Sequence, residues 1–212
     1  MSDEPSFYSR IPATMILRRL TVSRFDSNCY IVGSAENREA LIIDPGGDDN
    51  VILKCIHELE LKINLIVATH LHIDHYGAFK EVKKATGAPF AVHPDEFGEA
   101  ATVAHGHSLP KPDKVVKEGD ILSVGELDFT VLDTPGHSLG GICISGHNMV
   151  FTGDTLLKGG TGRIGSTGTS KEQIENSIRT KLMILPDHTI VLPGHGPETT
   201  IGAERRNSLF LR

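Results

Sequence analysis

Short apolar runs bounded by turn residues organise the chain. Met15 to Val22 and Asn28 to Val32 read as strands joined by a turn at Asp26-Ser27. Ala40-Leu41-Ile42-Ile43 suits a buried strand, closed by the turn residues Asp44-Pro45-Gly46-Gly47. Val51, Ile52, Cys55, Ile56 and Leu59 then recur at helical spacing, with Asp48 or Asp49 available as N-cap. Ile63 to Ala68 is a second buried run and ends in Thr69-His70. A helix over Gly77 to Thr86 and a strand over Phe90 to Val92 follow. This strand–helix alternation predicts an α/β sheet with parallel pairs.

The pattern changes beyond Pro94. Pro94 to Pro112 is irregular, reads as a short helical piece and a loop, and holds His105-Gly106-His107. Ile121 to Val124, Asp128 to Leu132, Ile142 to Ser145 and Met149 to Phe151 predict an antiparallel meander. Gly159 to Gly168 is a glycine-rich loop. Ser170-Lys171-Glu172-Gln173 is a capping box, and Ile174, Ile178, Leu182 and Leu185 form the apolar stripe of its helix. Thr189 to Leu192 is another buried run, followed by Pro193-Gly194-His195-Gly196-Pro197. Loops of ten or more residues inside a compact chain are usually functional, which directs attention to the middle loop and the glycine-rich loop. No linker or low-complexity segment divides the sequence, so one domain over residues 1–212 is expected, with residues 1–12 loose.

Composition removes several classes. Lys plus Arg is 21 against 27 Asp plus Glu, a net charge of −6, which argues against a general nucleic-acid binder. No apolar run approaches the ~18 residues of a membrane span. Cys29, Cys55 and Cys143 are odd in number and widely spaced, against a disulfide framework. Cys29 and Cys143, and Cys55 by its helical phase, read as buried thiols. The N-terminus lacks a basic-then-apolar signal, so a cytoplasmic location is expected. The outlier is histidine, at 11 of 212 residues.

Those histidines gather where strands end. Thr69-His70-Leu71-His72-Ile73-Asp74-His75 places three histidines and an aspartate directly after a buried strand and before a helix. Ligands in open α/β sheets collect at the carboxyl ends of strands. In extended chain, His70 and His72 point the same way and can converge on one ion, while Asp74 and His75 serve a neighbouring position. Three more strand ends share this grammar: His137 after Thr134-Pro135-Gly136, Asp154 after Phe151-Thr152-Gly153, and His195 after Leu192-Pro193-Gly194. Five imidazoles and two carboxylates are too many for one tetrahedral zinc and about right for two metals with open positions. His57, His93, His147 and His188 read as surface or turn residues.

His-Leu-His-Ile-Asp-His resembles the signature of the metallo-β-lactamase superfamily, and the resemblance runs from Asn28-Cys29-Tyr30 to the end of the chain. Phe-Thr-Gly-Asp-Thr-Leu (151–156), Thr-Pro-Gly-His (134–137) and Leu-Pro-Gly-His-Gly-Pro-Glu (192–198) are most similar to the glyoxalase II, or hydroxyacylglutathione hydrolase, branch. The resemblance implies an α/β fold, the αββα four-layer sandwich. It implies that His70, His72 and His137 hold one metal, that Asp74, His75 and His195 hold a second, and that Asp154 bridges them. Two divalent ions are expected, zinc first, with iron or manganese as alternatives for such mixed ligands. Asp44 reads either as a turn residue or as a support for a ligand from behind.

The implied activity is hydrolysis of a small acyl-thioester by a hydroxide shared between the metals, with Asp74 orienting the nucleophile. A thiolate leaves readily, since its pKa is ~8.5. Arg163 stands where the branch carries a basic residue that contacts glutathione, and it can pair a substrate carboxylate. Two departures bear on glutathione itself: the chain ends at Arg212 without the branch's C-terminal helical domain, and Ile164-Gly165-Ser166 replaces an expected tyrosine. The competing readings are a mononuclear-iron persulfide dioxygenase, a β-lactamase and a phosphodiesterase of the same superfamily.

Overall fold

The computed structural model describes residues 11–98, 109–164 and 169–208. Two mixed sheets face each other, each six-stranded among the described residues. The first contains β1 (Met15–Val22), β2 (Ser27–Ser34), β3 (Glu39–Ile43), β4 (Lys62–Val67), β5 (Phe90–Val92) and β6 (Lys114–Val115), in that order. Its first three strands are antiparallel; β3 to β6 run parallel. The second contains β7 (Ile121–Val124), β8 (Leu127–Asp133), β9 (Ile142–Gly146), β10 (Met149–Gly153), β11 (Ile190–Pro193) and β12 (Thr199–Thr200). The expected meander is β7 to β10, and β11 joins it in parallel.

Side-chain alternation builds the layers. Leu41 and Ile43 of β3 point into the core between the sheets, whereas Ala40 and Ile42 point outward. Outside the first sheet pack α1 (Asp49–Glu58) and α3 (Phe79–Thr86), through Ile52, Ile56, Phe79 and Val82. On β10, Met149 and Phe151 face inward and Val150 faces out, against Ile174 of α4 (Lys171–Ser177) and Ile201 of α5 (Ile201–Asn207). The result is the αββα sandwich. Among the described residues no helix is long and apolar enough to cross a membrane.

Several local expectations are corrected. The helix expected from Gly77 is preceded by a separate turn, α2 (Ile73–Tyr76), so Asp74 and His75 lie within a helical turn. The break at Gly77 and Ala78 has a cause. Gly77 packs so closely on Gly46 that a Cβ would lie 2.5 Å from the Gly46 carbonyl, and the Ala78 amide donates to Pro45. Asp48 does precede α1, but its carboxylate accepts from the Ser23 amide and does not cap the helix. Ser170 caps α4 as expected, accepting from the Gln173 amide, but the helix widens to a π turn over Ile178–Leu182. His93 is buried, not superficial: its Nδ1 accepts from the Asp95 amide and closes the 3-10 turn Pro94–Glu96. His105, His107, most of the N-terminal segment and residues 165–168 of the glycine-rich loop lie outside the described residues.

All three cysteines are free. Cys29 and Cys143 are fully buried, whereas Cys55 is only half-buried against the outer core. Burial pushes the Cys143 thiol up to about 12 and raises Cys29 well above its usual range. At pH 8, a disulfide reagent such as Ellman's should therefore titrate at most Cys55 in the native chain and all three thiols in denaturant. Rapid reaction of three native thiols would contradict the buried positions.

Candidate metal centre

Every chemically marked strand end reaches one edge of the sandwich. His70 follows β4, His137 follows β8, Asp154 follows β10, and His195 follows β11. The structure brings seven of the expected side chains together there. Ligand atoms of His70, His72 and His137 form one group, those of Asp74, His75 and His195 a second, and Asp154 groups with His70 and His75. Within the first, His137 Nε2 lies 2.8 Å from His72 Nδ1 and 3.2 Å from His70 Nε2. Within the second, His195 Nε2 lies 3.1 Å from Asp74 Oδ2. Asp154 faces both: Oδ1 is 3.7 Å from His75 Nε2, and Oδ2 is 3.6 Å from His137 Nε2 and 3.8 Å from His195 Nε2.

The surroundings decide which ring nitrogens carry protons. Thr69 Oγ1 donates to Asp44 Oδ2 at 2.7 Å, so it can only accept from His70 Nδ1 at 3.1 Å. Asp44 Oδ2 accepts from His75 Nδ1 at 3.0 Å, and the Arg163 carbonyl accepts from His137 Nδ1 at 2.7 Å. The Nε2 atoms of His70 and His137 then face each other as lone pairs. Burial, reinforced by the neighbouring imidazoles, lowers the pKa of His70 well below its usual value and keeps the ring neutral. Burial would lower His75 too, but the carboxylates of Asp44, Asp154 and Asp74 prevail and raise it to about 9. Burial alone would raise Asp74, yet the His195 hydrogen bond and the charge of His75 hold it at about 2.

A divalent cation fits this donor set. His75 Nε2 and Asp154 Oδ1 are buried and have no hydrogen-bond partner among the described residues. Buried polar atoms are rarely left so, because desolvation costs about 1–3 kcal/mol each. Converging imidazole lone pairs beside carboxylates are what a cation relieves. Backbone shape protects the arrangement: a Cβ on Gly194 would lie 2.5 Å from Asp154 Oδ1 and 2.6 Å from His75 Cε1.

Asp44 resolves in favour of support from behind. Its Oδ1 accepts the Thr69 amide at 2.6 Å, and its Oδ2 takes the Thr69 hydroxyl and His75. It thus orients His75 directly and His70 through Thr69, with its own backbone at φ 55°. That conformation is uncommon for a residue with a side chain, and aspartate tolerates it better than most.

A cavity of about 730 Å³ opens over the clustered histidines and aspartates, in the range of small-molecule sites. Phe25, Leu157, Thr161, Arg163 and Ile164 complete its wall. Arg163 is exposed there, so its guanidinium is free to meet a ligand while its carbonyl holds His137.

The chain matches the model of the metallo-β-lactamase superfamily over residues 22–195. It belongs to that superfamily. The hydroxyacylglutathione hydrolase GloC of Haemophilus influenzae is 35% identical over 93% of this chain and 98% of its own. Among solved structures, the B3 metallo-β-lactamase BLEG-1 superposes with a TM-score of 0.83 at 30% identity, covering 92% of this chain and 99% of that one. The di-iron-bound form of TTHA1623 gives 0.78 at 33% identity, covering 92% and 100%.

Two residues of this superfamily member escaped the sequence reading. Glu96, 1% exposed, accepts from the Leu71 and Gly140 amides, both at 2.7 Å. In sequence, Asp95-Glu96 after a proline looks like any solvated turn. Glu204, on α5, is buried and accepts from the Gly159 amide at 2.9 Å, anchoring the base of the glycine-rich loop. Neither carried a signal, because the partner amides lie 25 or more residues away.

The position of Asp154 between the two groups yields an asymmetric expectation. Asp154→Ala should weaken both groups and leave well under two metal ions per chain, whereas His195→Ala should empty only the second. Elemental analysis of both purified variants checks this; full loading of Asp154→Ala would contradict the geometry.

Proposed function

We propose that this superfamily hydrolase is a two-metal thioester hydrolase acting on small hydroxyacylglutathione-like acyl-thioesters. The observation that carries the reading is Asp154, whose carboxylate lies within 4 Å of both ligand groups at the floor of the open cavity, Oδ2 near His137 and His195 and Oδ1 near His75. His70, His72 and His137 would hold one cation, Asp74, His75 and His195 the other, and Asp154 would touch both. When bound, such a pair supplies a polarised carbonyl oxygen and a water acidified enough to attack near neutral pH.

The chain's own residues supply the rest. Asp74, held ionised at about 2, is a fixed acceptor that orients the attacking water. Asp44 and the Arg163 carbonyl keep the imidazole lone pairs aimed inward throughout. Phe25, Leu157 and Ile164 offer apolar surface to the acyl or thiol chain. Arg163 offers a cation to a substrate carboxylate, a charge-assisted pairing that would hold the thiol half in place. The departing thiolate needs no dedicated acid, since its pKa of ~8.5 makes it a good leaving group. The relationship to the GloC hydrolase supports the thioester class.

The likeness to BLEG-1 favours a second reading, hydrolysis of a β-lactam amide. Steady-state assays on the metal-loaded chain separate the two. We expect kcat/KM for a hydroxyacylglutathione to exceed that for a chromogenic cephalosporin by about 100-fold or more; the reverse order would replace the thioester reading with the β-lactam one.

Arg163→Ala should raise KM for carboxylate-bearing thioesters about tenfold, the worth of one charge-assisted hydrogen bond, with kcat less affected. A neutral acyl-thioester serves as the control. An equal change for charged and neutral substrates would remove Arg163 from substrate recognition.

A further inference from the structure

Each ligand group straddles the gap between the two sheets. In the first, His70 and His72 follow β4 of one sheet, and His137 follows β8 of the other. In the second, Asp74 and His75 sit on α2, beyond β4, and His195 follows β11 of the opposite sheet. The width of each group therefore depends on what ties the sheets together at this edge, not on either sheet alone. Metal–ligand distances tolerate only about 0.2 Å of error.

Two separate ties meet that need. Glu96 divides its carboxylate between the sheets' loops: Oε2 accepts from the amide of Leu71, between His70 and His72, and Oε1 accepts from the amide of Gly140, three residues beyond His137. Below it, the Ile142 amide donates to the Thr69 carbonyl at 3.0 Å. On the other side, Asn28 of β2 grips the His195 loop. Its amide donates to the Gly194 carbonyl at 2.7 Å, and its Nδ2 donates to the carbonyls of Pro193 and Gly196, both at 2.9 Å. Tyr30 Oη adds a bond to Pro193 at 2.8 Å. Glu96 and Asn28 are 1% and 3% exposed, so neither hydrogen-bond set is diluted by solvent. Among the described residues, the Glu96 carboxylate hydrogen-bonds to the loops of the first group and the Asn28 side chain to the loop of the second.

We propose that Glu96 and Asn28 are independent positioning residues, Glu96 setting the width of the His70–His72–His137 group and Asn28 that of the Asp74–His75–His195 group. The proposal rests on the two-cation reading. It makes the affinities of the two halves separately adjustable by residues that touch no metal and no substrate. Each acts by fixing where a loop of the far sheet stands.

Glu96→Gln keeps the side chain's size but offers one acceptor and turns an N–H2 toward the other backbone N–H, so one tie is lost. Asn28→Ala removes both Nδ2 bonds and keeps the backbone one. Zinc affinity is read by competition with a chromogenic chelator. The two steps are assigned with His72→Ala and His195→Ala, each of which leaves one group intact, and Glu96→Gln and Asn28→Ala are also measured in those backgrounds.

We expect Glu96→Gln to weaken the first group about tenfold or more and the second by less than about threefold, with Asn28→Ala giving the opposite split. A merely structural role would weaken both steps alike and lower the melting temperature of the metal-free chain. If Glu96→Gln does not fold, Glu96→Asp, one methylene too short to span both amides, is read in the same way. Two wild-type steps that shift together, or not at all, overturn the positioning roles alone. A wild-type chain with fewer than two steps overturns the two-cation reading and the positioning roles with it.

Discussion

Buried imidazole nitrogens that converge beside carboxylates favour a cation, and the edge of this sandwich brings them together. His70 and His137 have their Nδ1 protons committed outward, to Thr69 and to the Arg163 carbonyl, so their Nε2 atoms face each other 3.2 Å apart. Three carboxylates, Asp44, Asp74 and Asp154, surround the same space. Their charge raises the His75 pKa to about 9 against the effect of burial. Around a cation, those lone pairs and the carboxylates of Asp74 and Asp154 would serve as ligands. Asp44 serves both groups from a backbone conformation held at φ 55°, uncommon for a residue with a side chain.

The fold makes this possible by division of labour. Alternating side chains commit each strand to two cores, one between the sheets and one beneath the helices, which leaves the strand ends as the part of each strand free of packing duty. The carboxyl ends of β4, β8, β10 and β11 converge on one edge. Cross-sheet bonds from Glu96, Asn28 and the Ile142 amide then join the ligand-bearing loops of the two sheets. Substrate recognition is left to the rim, where Phe25, Ile164 and Arg163 are all exposed.

Much of this was legible in the sequence, for reasons that separate cleanly. Runs such as Ala40–Ile43 and Met149–Phe151 announce buried strands because both faces must be apolar. The His70–His75 cluster and the repeated strand-end grammar of His137, Asp154 and His195 announce a site because they place ligand types at one kind of position. What stayed hidden depends on distant partners. Glu96 looks solvated until Leu71 and Gly140 arrive, His93 looks superficial until it closes its own turn, and Asp48 looks like a cap until Ser23 claims it. The turn α2 was missed because its break is enforced by Gly46, about thirty residues upstream of Gly77, and local periodicity contains no such information.

Two ions, one in each ligand group and joined by Asp154, would satisfy this donor set. Elemental analysis of the wild-type chain, purified without added metal or chelator, tests that occupancy most directly. Close to two ions of zinc, iron or manganese per chain are expected. A single iron per chain, or none after incubation with excess metal, would contradict it and leave the facing lone pairs of His70 and His137 without an explanation.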